Sequence, residues 1–284
     1  MYRWWIMFFF LACNAAAIER ESSTRPFTLS GNFVQGGLVV GRTVPGTQVF
    51  QDGQALRVSG NGEFLLGFTR DAPATSQLKL QLPGGELIEQ TLQVATREYR
   101  IQRIDGLPPG KVTPRSAEDL ARIRRDTAAV KKARARDDDR QDFLPGFDWP
   151  VTGPISGVYG SQRILNGEPR RPHFGVDVAA PVGTPVRAPA AGLVTLADPD
   201  MFFSGGTLII DHGHHLSSSF LHLAKLHVQT GDRVEKGDLI AEVGATGRVT
   251  GAHLDWRMNL RDRYIDPQLL VPPMPESAQS ASRD

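Results

Sequence analysis

The stretch His173-Phe174-Gly175-Val176-Asp177-Val178-Ala179-Ala180-Pro181 decides the fold. Read with period two, His173, Gly175, Asp177 and Ala179 share one face of a strand, while Phe174, Val176 and Val178 share the other. The second face is apolar and packs on a core. The first carries an imidazole and a carboxylate, with a glycine between them that leaves space for something bulky. A nitrogen and an oxygen donor over such a gap suit Zn2+. Taken by itself, the spacing is more simply a half-buried strand with two polar residues turned to water.

Two further segments bring histidines to comparable places. Ser219-Phe220-Leu221-His222-Leu223 is strand-like, with His222 pointing away from Leu221 and Leu223. Gly251-Ala252-His253-Leu254-Asp255-Trp256-Arg257-Met258 alternates cleanly, so Leu254, Trp256 and Met258 face a core and His253, Asp255 and Arg257 face the opposite way. Three strands presenting histidines beside apolar alternation favour the metal reading over the wet strand.

Residues 149–271 resemble the lysostaphin-type, or LytM-type, zinc metallopeptidases that act on cell-wall peptidoglycan. The resemblance rests on His173-Phe174-Gly175-Val176-Asp177, Ile210-Asp211-His212-Gly213, Phe220-Leu221-His222-Leu223, Gly231-Asp232-Arg233-Val234 and Gly244-Ala245-Thr246-Gly247 through His253-Leu254. It implies an antiparallel β-sheet peptidase domain with His173 and Asp177 as Zn2+ ligands. It also implies His222 as a catalytic histidine near the substrate carbonyl, and His253 as the residue that activates or orients the attacking water. The third ligand of the family is the second histidine of an H-x-H motif; here that position is Asp255. Aspartate is a legitimate zinc ligand, but it is shorter than histidine by roughly 2 Å of reach. A shell of one histidine and two aspartates also makes the metal a weaker Lewis acid. The resemblance therefore implies a metalloendopeptidase cutting amide bonds in stem peptides or cross-bridges. The alternative is a degenerate domain that binds peptidoglycan or activates another cell-wall hydrolase.

The rest of the chain is mainly β as well. Over 25–104, Asp52-Gly53, Asn61-Gly62 and Pro83-Gly84-Gly85 punctuate short strands, and Leu78 to Leu82 alternates, which predicts a small antiparallel β-sandwich of accessory character. Residues 105–148 read as a linker holding a charged helix capped by Ser116, with Glu118 and Asp119 in its first turn. The sandwich or this helix offers a surface to another envelope protein. Residues 272–284, rich in Pro, Ser, Ala and Gln, read as a disordered tail. Asn166, before the first ligand, is a candidate to contact the metal. His212 is expected to hydrogen-bond locally, His214 and His215 to sit in a turn, and His227 to be exposed.

Composition narrows the class. The 284 residues are 22% charged and 40% hydrophobic, with a formal net charge of +1, which gives no reason to expect a nucleic-acid partner. Residues 1–17 carry Arg3, an apolar run from Trp4 to Ala12 and Ala15-Ala16-Ala17, the pattern of a secretory signal peptide; removing them leaves the chain formally neutral. An exported protein of the bacterial periplasm or envelope is expected. The single cysteine, Cys13, lies in the leader within a lipoprotein-like Leu11-Ala12-Cys13, so membrane attachment is expected only if Cys13 is lipidated. The exported body has no disulfide framework.

Overall fold

The computed structural model describes residues 25–279. The leader, Cys13 and the last residues of the tail lie outside them. Among the described residues, no helix is long and apolar enough to cross a membrane.

The N-terminal unit holds β1 (Phe27–Gly31), β2 (Leu38–Thr43), β3 (Gln48–Gln51), β4 (Gln54–Leu56), β5 (Glu63–Gly67), β6 (Thr75–Gln81) and β7 (Leu87–Gln93). They form two antiparallel sheets, β1-β2-β5 and β4-β3-β6-β7. Asp52 and Gly53, both at positive φ (50° and 80°), close the β3–β4 hairpin, as the two-residue turn signal predicts. The Asn61-Gly62 hairpin shrinks to a single bridge between Val58 and Phe64. In β6, Ser76, Leu78 and Leu80 are buried while their neighbours are exposed. Val39, Val49, Phe64, Leu66, Leu78 and Leu80 fill the space between the sheets.

Two expected boundaries move. β8 (Ile101–Ile104), read as the end of the sandwich, leaves it. It pairs in parallel with a strand of the C-terminal unit, Gln102 opposite Arg163. After a helical turn, α1 (Pro109–Val112), comes α2 (Ala117–Arg134). The Ser116 hydroxyl accepts from the Asp119 amide at 3.0 Å, so the cap is the one read from sequence. Beyond α2, Phe143 and Phe147 are buried in the C-terminal core, so the last part of the linker belongs to that domain.

The C-terminal unit continues with β9 (Ile155–Gly157), β10 (Gln162–Leu165), β11 (Glu168–Pro169), β12 (Val176–Ala179), β13 (Pro185–Arg187), β14 (Gly192–Met201) and β15 (Gly205–Asp211). It ends with β16 (Leu216–Leu226), β17 (Arg233–Val234), β18 (Leu239–Val243), β19 (His253–Leu260), β20 (Arg263–Ile265) and α3 (Glu276–Gln279). An antiparallel sheet runs β17-β14-β15-β16-β19-β12-β9, with β18 bridging β13 and β16. Trp256, Leu254, Met258, Phe220, Ile210 and Leu208 are completely buried beneath it, as their alternation requires. Residues 272–279 are not the disordered tail their composition suggests. Met274 is buried in the core, and Trp149 Nε1 donates to Pro272 O at 2.7 Å. One large apolar anchor and one indole donor outweigh the polar residues around them.

Candidate metal centre

The floor of the site is a cross-strand pair. β12 and β19 run antiparallel with Asp177 directly opposite Asp255 and Ala179 opposite His253. Both aspartates are buried. Like charges facing each other across a ladder destabilise it unless something offsets them. Two arginines do so in part. Arg163 from β10 holds Asp177 Oδ2. Arg257 grips both oxygens of Asp255, with Nε at 3.0 and 3.1 Å and Nη2 at 2.5 Å from Oδ2. Burial works against ionising either acid. His173 and Arg163 nonetheless hold the Asp177 carboxyl below its ordinary range, and Arg257 and His173 do the same for Asp255.

His173 does not lie on the strand itself, which begins at Val176. Its place is fixed by the chain beside it: its amide donates to Ser161 O at 2.8 Å, and its carbonyl accepts from the Gly160 amide at 2.7 Å. This sets His173 Nε2 3.0 Å from Asp177 Oδ1. Both ring nitrogens of His173 and Asp177 Oδ1 are buried without a hydrogen-bond partner among the described residues. Donor atoms of His173, Asp177 and Asp255 all lie within 4.8 Å of one another. Buried lone pairs of an imidazole and two carboxylates converging on one point are what a cation would satisfy. One nitrogen and two carboxylates are an acceptable zinc set.

The space over Gly175 is not open to a ligand as the period-two reading suggested. A Cβ there would lie 2.6 Å from Arg257 Cγ, Asp255 Oδ1 and Trp256 O, so the glycine admits the Asp255–Arg257 pair.

The two remaining histidines sit above the floor, ring centroids 4.9 Å apart. β16 changes register between its partners at Phe220 and Leu223, and His222 within this bulge takes a left-handed φ of 67°. Its amide donates to Ser204 O at 2.8 Å. His222 Nδ1 lies 2.9 Å from Thr246 O, and His253 Nδ1 lies 2.9 Å from Gly251 O. A carbonyl only accepts, so each Nδ1 carries a proton, which leaves Nε2 as the ring nitrogen available to the site. Burial pushes His222 down to about 4. His253 Nε2 is 3.9 Å from Asp177 Oδ1.

Other expected contacts fall elsewhere. Asn166 does not reach this centre: its side-chain amide bonds the backbone of Leu107 in both directions, at 3.1 and 2.7 Å. His212 is hydrogen-bonded locally, His214 and His215 form a left-handed turn, and His227 pairs with Glu242 at 2.9 Å. Arg163 was not singled out from sequence, and nothing local marks it. Arg257 shares the face of Asp255 in the alternation, which is the one signal it gives.

Above the histidines runs a groove of about 740 Å³ whose far wall is α2, through Ile123, Asp126, Thr127, Val130 and Arg134. Polar contacts pin the helix there. Arg134 Nη2 donates to Ser219 Oγ at 2.9 Å, Asp126 Oδ2 accepts from the Phe202 amide at 2.7 Å, and Arg122 pairs with Asp200.

The sequence profile of peptidase family M23 matches residues 171–267. The peptidoglycan DD-endopeptidase ShyB of Vibrio cholerae is 37% identical over 138 residues, 49% of this chain and 29% of ShyB. A lipoprotein NlpD/LppB homolog of Pseudomonas aeruginosa is 31% identical over 127 residues, 45% of this chain and 40% of that protein. The chain thus spans less than half the length of either relative. A crystal structure described as a putative peptidase M23 from Pseudomonas aeruginosa superposes with a TM-score of 0.64 at 32% identity, covering 83% of this chain and 93% of that one.

Proposed function

The chain belongs to peptidase family M23, and from that premise we propose that it is an exported zinc metalloendopeptidase. Its substrate on this reading is an amide bond in a peptidoglycan stem peptide or cross-bridge. The observation that carries the reading is the convergence of one buried ligand atom each from His173, Asp177 and Asp255 within 4.8 Å of one another. His173, Asp177 and Asp255 would hold the ion, which when bound supplies Lewis acidity at the scissile carbonyl and lowers the pKa of nearby water. Arg163 and Arg257 offset the two carboxylates and fix their orientation. The proton work falls to the histidines. Each has its Nδ1 proton committed to a carbonyl, so the Nε2 of one of them accepts the single proton that the attacking water gives up. The histidine that took it then passes that proton to the leaving amine. Burial keeps His222 neutral, ready for the first of these steps. The signal-peptide pattern and the similarity to a lipoprotein homolog support an envelope location.

One observation favours the degenerate reading. Arg257 already contacts both oxygens of Asp255, which leaves that carboxylate fewer lone pairs for a metal. Metal content and digestion of purified cell walls separate the two readings. Zinc near one per chain is expected, with digestion lowered at least about a hundredfold by His173→Ala, His222→Ala, His253→Ala or Asp255→Ala. Variants that all digest as well as the parent would sink the assignment. No zinc and no digestion would favour the regulator.

A further inference from the structure

Neither strand of the metal floor carries His173. Two backbone bonds locate it, and both come from the turn between β9 and β10. The Gly160 amide donates to His173 O at 2.7 Å, and Ser161 O accepts from the His173 amide at 2.8 Å. A zinc-bound histidine is ordinarily oriented by a hydrogen bond from its other ring nitrogen. His173 is buried, and its Nδ1 has no such partner among the described residues. The placing of this imidazole therefore falls to the backbone of residues 160–161.

That turn is gripped from the sandwich. The Gly160–Ser161 peptide lies between the two groups that hold His173, and its carbonyl, Gly160 O, accepts from Arg70 Nε at 2.7 Å. Arg70 sits in the turn after β5, with its side chain only 16% exposed. Its guanidinium lies 4.3 Å over the Tyr99 ring, and Tyr99 Oη donates back to Arg70 O at 3.1 Å. Tyr99 in turn packs on Gly160: a Cβ there would meet the ring at 2.1 Å, and the residue takes a left-handed φ of 84°. Next along the chain, Arg100 O accepts from the Gln162 amide at 2.9 Å. A hydrogen bond from a charged, mostly buried donor is among the stronger kinds, so Arg70 is the firmest of these holds.

We propose that Arg70 is a positioning residue for the metal ligand His173, so that the sandwich completes the metal centre from behind. This rests on the reading of the chain as a metallopeptidase. Arg70 touches neither the metal position nor the groove; it acts through the Gly160–Ser161 peptide. Asp177 and Asp255 keep their places through their own ladder, so a loosened turn moves His173 against two fixed carboxylates. Metal–ligand distances are held to within about 0.2 Å, and a small shift of the turn exceeds that.

Zinc affinity, measured against a competing chelator, and the visible spectrum of the full chain loaded with Co2+ test this. Arg70→Met is expected to weaken zinc binding about tenfold and to shift the cobalt bands, while Arg70→Lys keeps part of the affinity. Leu78→Ala, in the sandwich core, is expected to lower the urea midpoint and leave zinc affinity unchanged. Zinc binding and cobalt bands in Arg70→Met equal to those of the parent would overturn the proposal. So would a Leu78→Ala variant that loses as much affinity as Arg70→Met, because general stability would then set the affinity. Amide hydrogen exchange of the metal-free chain gives a second reading. In Arg70→Met the Gly160 and His173 amides are expected to exchange about tenfold faster, with those of β19 unchanged; unchanged exchange at His173 would refute the role. A parent that takes up neither metal would tell against the metallopeptidase instead, and the exchange rates then decide whether Arg70 holds His173.

Discussion

His212 uses both ring nitrogens inside the protein. Nδ1 lies 2.7 Å from Ala191 O and Nε2 lies 2.7 Å from Ser218 Oγ. The carbonyl fixes the proton on Nδ1, so the serine hydroxyl serves as donor to Nε2. Burial pushes this imidazole down to about 4, against about 6.5 in an unfolded chain. The unfolded state therefore takes up a proton below pH 6.5 that the folded state refuses until about pH 4. Stability from this residue is complete above pH 6.5 and falls by on the order of 3 kcal/mol as pH drops to 4. Urea midpoints between pH 7.5 and 4.5 check this. The parent loses stability as pH falls, and His212→Gln flattens the slope, leaving what His214, His215 and His222, each lowered by burial, contribute against the opposite pull of Asp211, which burial raises to about 6. A variant as pH-dependent as the parent would contradict the assignment.

At the scale of elements, β12 and β19 hold the acidic floor through their register, and Gly175 allows them to do it. Adding a methyl at Gly175 meets Arg257 Cγ and Asp255 Oδ1 at 2.6 Å. Gly175→Ala is expected to cost about 1–3 kcal/mol and to weaken zinc binding about tenfold or more by displacing the pair. Thermal unfolding and a zinc titration measure the two effects. How much was legible follows from the same strands. Period-two alternation puts Asp177 on one face and His253, Asp255 and Arg257 together on another, because side-chain direction in a strand is a local property. The facing of Asp177 with Asp255 depends on register between segments some 80 residues apart, which alternation does not contain. His222 shows the other limit: its direction comes from a bulge and a left-handed φ, where period two fails. The wall made by α2 was missed because the helix carries only a thin apolar stripe and is held to the groove by polar contacts.

Across the whole molecule, the sandwich and the sheet behind the site are joined into one unit. Leu38 and Leu65 from the sandwich are buried in the same cluster as Trp256. Arg97 Nη1 meets Asp266 at 2.7 Å, and Arg263 Nη1 donates to Gly67 O at 2.7 Å. Asp266 is buried, and burial raises its pKa despite Arg97. A single unfolding transition is expected by denaturant, with Arg97→Ala losing about 3 kcal/mol because it strands a buried carboxylate. Two separated transitions in the parent would contradict a shared core. One local feature weighs on this global stability from the other side. The left-handed backbone of His222 stores strain on the order of 1 kcal/mol that glycine or asparagine would release. A laboratory population selected for heat resistance alone would thus drift toward losing its histidine there, so any thermostabilising campaign on this chain has to select for turnover in the same round.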